Sequence, residues 1–204
     1  MVKFKNQEDA LEKLYLLLDI EKIDDDTIIL AISEDGVYYA REIAKKLGFI
    51  FADFLFSEPI ISPQNKECVI GCISETKDIV LIDELIDVFE ISKDYVYAEA
   101  KRLYDEKIIS YIYEYRYGDS IEDLKDKKVI LIDEGANTGL TLEVCIKSCI
   151  NSGAREVDVA IPIVPASLAK EIKKISDHCY FVYEVENFVE TNFYFEDRKD
   201  KYEL

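Results

Sequence analysis

The chain has 204 residues, 49% of them hydrophobic, which suits one compact domain with an appendage. Its net charge of −18, from 43 acidic and 25 basic residues, repels nucleic-acid backbones and anionic membranes, so we expect neither as a partner. Because no apolar run approaches the roughly 20 residues that span a bilayer and the start lacks a signal-peptide core, we expect a cytoplasmic protein.

The first part of the chain predicts alternating helices and strands. Two segments carry apolar residues at helical spacing, namely 6–19 and 37–47. Four apolar runs predict strands, namely 27–33, 50–56, 68–74 and 78–82. Gly48 ends the second helix as a C-cap. The segment 57–66 contains Pro59 and Pro63 and is predicted to be a loop.

The second part begins with a mostly helical stretch, 85–115, whose central helix starts at Lys93. Three strands are predicted beyond it, at 129–132, 156–163 and 178–185, and two helices between them, at 141–152 and 166–175. Strands that alternate with helices form a parallel sheet with right-handed crossovers. The predicted fold class is therefore α/β with a doubly wound parallel sheet.

The stretch 127–141, KKVILIDEGANTGLT, is the main candidate for a functional site. The apolar strand ends on Asp133 and Glu134, and a loop of small and hydroxyl residues follows: Gly135, Ala136, Asn137, Thr138, Gly139, Leu140 and Thr141. A loop at a helix N-terminus binds phosphate through backbone N–H groups and the helix dipole. Two carboxylates beside it suit vicinal hydroxyls, so the pattern predicts a ribose 5-phosphate site.

Other interpretations of this stretch fit less well. A Walker-type loop requires lysine after the glycine, whereas Leu140 follows Gly139. A dinucleotide fingerprint requires three closely spaced glycines, and only two are present. An ordinary turn with solvated acids is the plain alternative. A receiver-like regulatory domain would also end a central strand on an acid, but the Thr-Gly-x-Thr sequence argues against it.

The cysteines and the single histidine do not predict a metal site. Cys145 and Cys149 share one face of a helix, so we interpret both as small buried hydrophobes. Cys68 and Cys72 lack further ligands nearby, which makes a metal site there a weak hypothesis. We interpret His178, at the start of a strand, as structural.

The stretch 129–141 resembles the phosphoribosyl-diphosphate (PRPP) motif of type I phosphoribosyltransferases, and most of the chain is similar to a subgroup of small bacterial proteins predicted to have this activity. The resemblance implies a small hood, built from chain termini and mid-chain inserts, over a core of about 27–56 and 127–185. The hood would comprise about 57–82 and 186–204. It also implies Mg²⁺ bound through PRPP, a homodimer and a small-molecule phosphoribosyl ligand.

The likeness extends beyond the motif to four further segments, namely 65–67, 70–72, 81–116 and 192–197. By resemblance, Asp133 and Glu134 bind the ribose hydroxyls and residues 135–141 bind the phosphates. Arg116, in a Tyr-Arg pair, is the candidate cation for pyrophosphate, although a helix-end surface charge is an equal alternative. The acceptor would dock near the C-terminal aromatics, which are Phe188, Phe193 and Tyr194; ordinary packing is the alternative for these rings.

Two departures from the family pattern leave two functions open. The family's pyrophosphate loop is Pro-Arg-Gly-Gly-like, whereas this chain has Ser33-Glu34-Asp35-Gly36 and keeps only Gly36. An Arg-Lys pair is replaced by Ser57-Glu58. Like charges about 4 Å apart cost on the order of 4 kcal/mol when partly buried, a large part of the roughly 8 kcal/mol of micromolar binding. The chain is therefore either a transferase acting on a nitrogenous base or a non-catalytic nucleotide-binding sensor or interaction module.

Overall fold

A computed structural model describes residues 3–48 and 52–197. The strands of its larger sheet are Thr27–Ala31 (β1), Ala52–Phe54 (β2), Lys128–Ile132 (β6), Glu156–Pro165 (β7) and His178–Val185 (β8). This sheet is wholly parallel, and its five strands lie in the order β2-β1-β6-β7-β8. The predicted doubly wound parallel sheet is confirmed.

Seven α-helices occur in the described part of the chain. They are Gln7–Leu17 (α1), Gly36–Leu47 (α2), Asp83–Val88 (α3), Lys93–Leu103 (α4), Ile109–Arg116 (α5), Leu140–Asn151 (α6) and Ala166–Ile175 (α7). A π-helical turn, Tyr104–Ile108, joins α4 to α5. None of the described helices is long and apolar enough to cross a bilayer.

The two faces of the parallel sheet are covered by different helices. One hydrophobic cluster packs α6 and α7 against the sheet and includes Cys145 and Cys149, both fully buried as predicted. The other packs α1 and α2 against the opposite face. Tyr194 and Phe195, expected in the hood, lie in this second cluster, where Phe195 pairs with Phe4. These two C-terminal aromatic residues therefore belong to the core.

A second, antiparallel sheet contains Ser57–Ile61 (β3), Val69–Ser74 (β4) and Ile79–Leu81 (β5). The prediction of a loop over 57–66 was wrong for its first half, because β3 pairs with β4. The loop prediction rested on Pro59, because proline has no N–H to donate within a sheet. β3 is an edge strand, however, and its outer side requires no N–H donor. Helices α3 to α5 pack with this sheet in a third cluster.

The remaining predicted elements agree with the structure to within a few residues. The helices and strands of 127–185 and the helical stretch 85–115 are confirmed. Of the strand predicted at 50–56, residues 52–54 are strand, and residues 50 and 51 lie outside the described residues.

A buried ion-pair network lies where β6, β7 and β8 begin. Lys128 is 1% exposed, and its Nζ lies 2.6 Å from Glu156 Oε1 and 2.8 Å from Asp158 Oδ2. His178 Nδ1 lies 3.0 Å from the other Asp158 oxygen. Because Asp158 is fully buried, these partners offset the cost of removing its carboxylate from water.

Replacing Lys128 by alanine should lower the free energy of unfolding by about 3 kcal/mol or more, because it leaves the Asp158 carboxylate buried without its ammonium partner. Lys127→Ala is the matched control, because its ion pair with Asp26 is exposed and should contribute little to the free energy of unfolding. Urea unfolding measures both variants. Equal losses for the two lysines would contradict this account.

Candidate functional site

A cavity of about 400 Å³ opens beside the carboxyl ends of β1 and β6, where open α/β sheets bind their ligands. Four segments line it: 32–34 after β1, 54–58 at β2 and β3, Tyr111 and Tyr115 on α5, and 133–142 after β6. Within these segments the lining residues are Ile32, Ser33, Glu34, Phe54, Phe56, Ser57, Glu58, Asp133, Gly135, Ala136, Asn137, Thr138, Gly139, Thr141 and Leu142.

The predicted phosphate loop forms one wall of this cavity. Gly139 adopts a left-handed conformation with φ +82°, and α6 begins at the next residue, Leu140. A Cβ at Gly139 would also collide with the Leu168 side chain. No side chain caps the start of α6, so its first backbone N–H groups remain available to an anion.

Asp133 lies on the cavity wall and is 8% exposed. Its Oδ1 accepts hydrogen bonds from the Ser33 hydroxyl and, at 2.7 Å, from the Glu134 backbone N–H. Its Oδ2 has no hydrogen bond within the described chain. Burial raises the pKa of the Asp133 carboxyl to about 7, although both hydrogen bonds oppose the shift.

Glu134 is fully buried and is not among the residues that line the cavity. Its Oε1 accepts hydrogen bonds from Gln7 Nε2, at 2.8 Å, and from the Tyr39 hydroxyl, at 3.2 Å. Gln7 and Tyr39 belong to α1 and α2, on the other side of the sheet. The structure therefore separates the two acids that the sequence analysis assigned to one ribose.

The loop after β1 brings Ser33 and Glu34 to the cavity but places Gly36 behind it. Gly36 is the first residue of α2, and its N–H donates to Ser33 Oγ at 3.0 Å. A Cβ on Gly36 would lie 2.6 Å from the Ile132 carbonyl oxygen. Glycine is therefore required here for close packing of the loop against β6, and its part in a ligand site is indirect.

Glu58, at the start of β3, adds a further carboxylate to the cavity. The Tyr111 hydroxyl donates to Glu58 Oε1 at 2.9 Å. Burial raises the pKa of Tyr111 to about 12, and the negative charges of Glu58 and Glu34 contribute to the shift. Tyr111 therefore lies beside the Glu58 carboxylate in the cavity wall. The helical pattern of the sequence did not identify Tyr111 as a site residue.

Arg116 does not line this cavity. Its guanidinium pairs with Glu75, which is 8% exposed, and its Nη1 lies 3.6 Å from Asp53 Oδ2. The guanidinium carbon lies 5.0 Å from the centre of the Phe56 ring. In this conformation the predicted pyrophosphate cation is held by two carboxylates and an aromatic ring.

The aromatic residues predicted to receive the acceptor lie elsewhere. Phe193 and Tyr194 line a separate cavity with residues 184–187 and Val189. Phe188 stacks on Tyr194, with ring centres 5.4 Å apart. Near the phosphate loop, this C-terminal segment contributes Thr191, whose Oγ1 would lie 2.5 Å from a Cβ at Gly135.

Asp133→Asn should change how stability depends on pH. The folded-state pKa of about 7 exceeds the ordinary value of 3.8, so this carboxyl stabilises the fold at low pH and the contribution is lost as the pH rises through 7. Between pH 5 and 8 the free energy of unfolding of the wild type should fall by on the order of 2–3 kcal/mol relative to that of the variant. Urea unfolding at both pH values tests this, with the exposed Asp119→Asn as control; parallel curves for wild type and Asp133→Asn would refute the buried carboxyl.

Comparison with known proteins agrees with this architecture. The chain is similar to TT1426 from Thermus thermophilus, with a TM-score of 0.75 and 23% identity over 96% of this chain and 91% of that one. Weaker similarity extends to a purine phosphoribosyltransferase from Pyrococcus horikoshii Ot3, with a TM-score of 0.45 and 18% identity over 99% of this chain and 91% of that one. The model of the phosphoribosyl transferase domain matches residues 8–198. The chain therefore belongs to the phosphoribosyl transferase domain family.

Proposed function

We propose that this protein binds a ribose 5-phosphate ligand, either PRPP or a nucleoside monophosphate, in the cavity beside β1 and β6. The observation that carries the proposal is the placement of Asp133 and the start of α6 on the wall of one cavity. Asp133 offers an oxygen to hydroxyl groups, and the uncapped helix offers N–H groups to a phosphate.

The 5-phosphate would bind along residues 135–141. Gly135, Ala136, Asn137, Gly139 and Leu140 would present backbone N–H groups, while Thr138 and Thr141 would add hydroxyl donors. Gly139 permits the left-handed turn that directs the chain into α6. The positive end of the helix dipole would add to the attraction.

The ribose hydroxyls would donate to Asp133. An ionised carboxylate is a better acceptor than a protonated one, so binding should strengthen as the pH rises from 6 to 8. Glu134 would act indirectly: its backbone N–H holds Asp133 Oδ1, and its side chain ties the end of β6 to Gln7 and Tyr39.

The reaction implied by family membership is transfer of a phosphoribosyl group from PRPP to a nitrogen acceptor. The bond from C1 to the pyrophosphate oxygen breaks and its electron pair leaves with pyrophosphate. The bond from C1 to nitrogen forms, and the proton lost by nitrogen passes to water. The transition state would resemble an oxocarbenium ion, as in glycoside hydrolysis, and the Asp133 carboxylate would hold the ring by its hydroxyls. The acceptor base and a homodimer stay predictions from the resemblance.

Magnesium fits the donor chemistry of the cavity, because Glu34, Glu58 and Asp133 offer the carboxylate oxygens that this ion prefers. When bound, Mg²⁺ would neutralise part of the charge on pyrophosphate. The residues themselves would then orient a chelated pyrophosphate rather than attract it directly.

Binding without transfer is the second candidate function, and the charges around the cavity favour it. Glu34 and Glu58 stand where the family resemblance implies positive or neutral residues. No lysine or arginine is found among the described residues that line the cavity. We therefore propose monophosphate binding as the basic property of the site, with transfer dependent on magnesium.

Thr138→Val should weaken binding of a nucleoside monophosphate by about 10- to 100-fold, because a hydrogen bond to a charged phosphate is lost. Calorimetric titration with monophosphates and with PRPP, with and without Mg²⁺, measures the effect. Ser120→Ala, which removes an exposed hydroxyl outside the cavity, is the control. Absence of binding, or binding indifferent to Thr138, would overturn the proposed site.

A further inference from the structure

The cavity combines acidic groups from three separate elements. Glu34 follows β1, Glu58 begins β3, and Asp133 follows β6. Residues 135–141, which are proposed to hold the phosphate, include no carboxylate, and Asp133 is the cavity-lining acid that lies nearest to them in sequence. Glu34 and Glu58 are therefore the acids of the cavity wall that the proposed ribose and phosphate contacts do not use.

Glu34 and Glu58 both line the cavity, together with Tyr111. Glu58 Oε1 accepts a hydrogen bond from the Tyr111 hydroxyl at 2.9 Å. Each carboxylate has about four acceptor positions, so the bond from Tyr111 leaves Glu58 with further capacity to accept. A ligand group placed here meets acceptors and negative charge.

The same part of the cavity is lined by aromatic rings. The ring centres of Phe54 and Phe56 are 4.9 Å apart, and Phe56 stacks on Tyr115 with 28° between the ring planes. All three residues line the cavity with Tyr111. Aromatic walls accept flat groups by stacking, which suits a nucleobase and gives no advantage to pyrophosphate.

Arg116 cannot neutralise the negative charges of Glu34 and Glu58 without a large rearrangement. It lies over Phe56 and pairs with the buried Glu75 and with Asp53. Moving it into the cavity would leave the Glu75 carboxylate buried without its cation.

On the basis of the ribose-phosphate site proposed above, we propose that Glu34 and Glu58 select a nucleoside 5′-monophosphate whose base carries an amino group. The amino group of an adenine- or cytosine-type base donates to these carboxylates while the ring stacks on Phe54, Phe56 or Tyr115. A keto oxygen at the same position is itself a hydrogen-bond acceptor and receives no hydrogen bond from the carboxylates. Pyrophosphate is negatively charged, so the carboxylates repel it. The two glutamates thus act as specificity-determining residues.

The test compares ligands that differ at the amino position. Calorimetry without divalent cations should show AMP binding about tenfold or more tightly than IMP, and CMP more tightly than UMP, as expected for a hydrogen bond to a charged group. PRPP should bind more weakly than AMP under the same conditions. Glu58→Gln should reduce the AMP-to-IMP affinity ratio by about tenfold, because the amide carries no charge and can itself donate to a keto oxygen.

The controls separate this inference from the proposed function. Glu67→Gln, an exposed carboxylate of the hood outside the cavity, should leave the AMP-to-IMP ratio unchanged. Equal affinities for AMP and IMP, both weakened by Thr138→Val, would overturn the specificity and retain the phosphate site. PRPP with Mg²⁺ binding more tightly than AMP would also overturn it, and failure of every nucleotide to bind would overturn both. The wild-type ratios test the inference even if a variant fails to fold.

Discussion

Side chains alternate between the two faces of a strand, and this constraint decides what the acidic pair after β6 can do. Asp133 faces the cavity, so its neighbour Glu134 faces the opposite side of the sheet, where it meets Gln7 and Tyr39. The pair therefore divides into an acid that faces the cavity and an acid that is buried against α1 and α2. The Glu134 backbone N–H still connects them, since it donates to Asp133 Oδ1.

The distribution of charged residues determines how the cavity could attract an anionic ligand. A net charge of −18 would tolerate anionic ligands only where cations or N–H groups are concentrated locally. Lys128 and Arg116 are the strongly buried cations in the described chain that have ion-pair partners, and both are committed to carboxylates. In the proposed site, attraction of a phosphate would therefore depend on the backbone and hydroxyl groups of residues 135–141, with little contribution from side-chain charge.

The parallel sheet and the site loop could be predicted from the sequence because their signals are local. The apolar run before Asp133 and the glycine at 139 fix a strand, a turn and a helix start within a dozen residues. Long-range partners could not be predicted in this way. The hydrogen bond from Gln7 to Glu134 joins residues 127 positions apart in the sequence, and the one from Tyr111 to Glu58 joins residues 53 positions apart. The strand at 57–61 was also missed, because its edge position, which accommodates Pro59, is a property of the assembled sheet.

Arg116 links the antiparallel sheet to the parallel sheet, and the same contacts keep its positive charge out of the cavity. This residue ends α5 and meets Glu75, in the turn after β4, and Asp53, on β2 of the parallel sheet. The Arg116 side chain therefore joins the two sheets and does not line the cavity. Breaking a buried pair by removing one partner costs roughly 3–5 kcal/mol, a large part of the roughly 8 kcal/mol of micromolar binding. A ligand that leaves Arg116 in place avoids this cost, which favours an uncharged base over pyrophosphate beside Glu34 and Glu58.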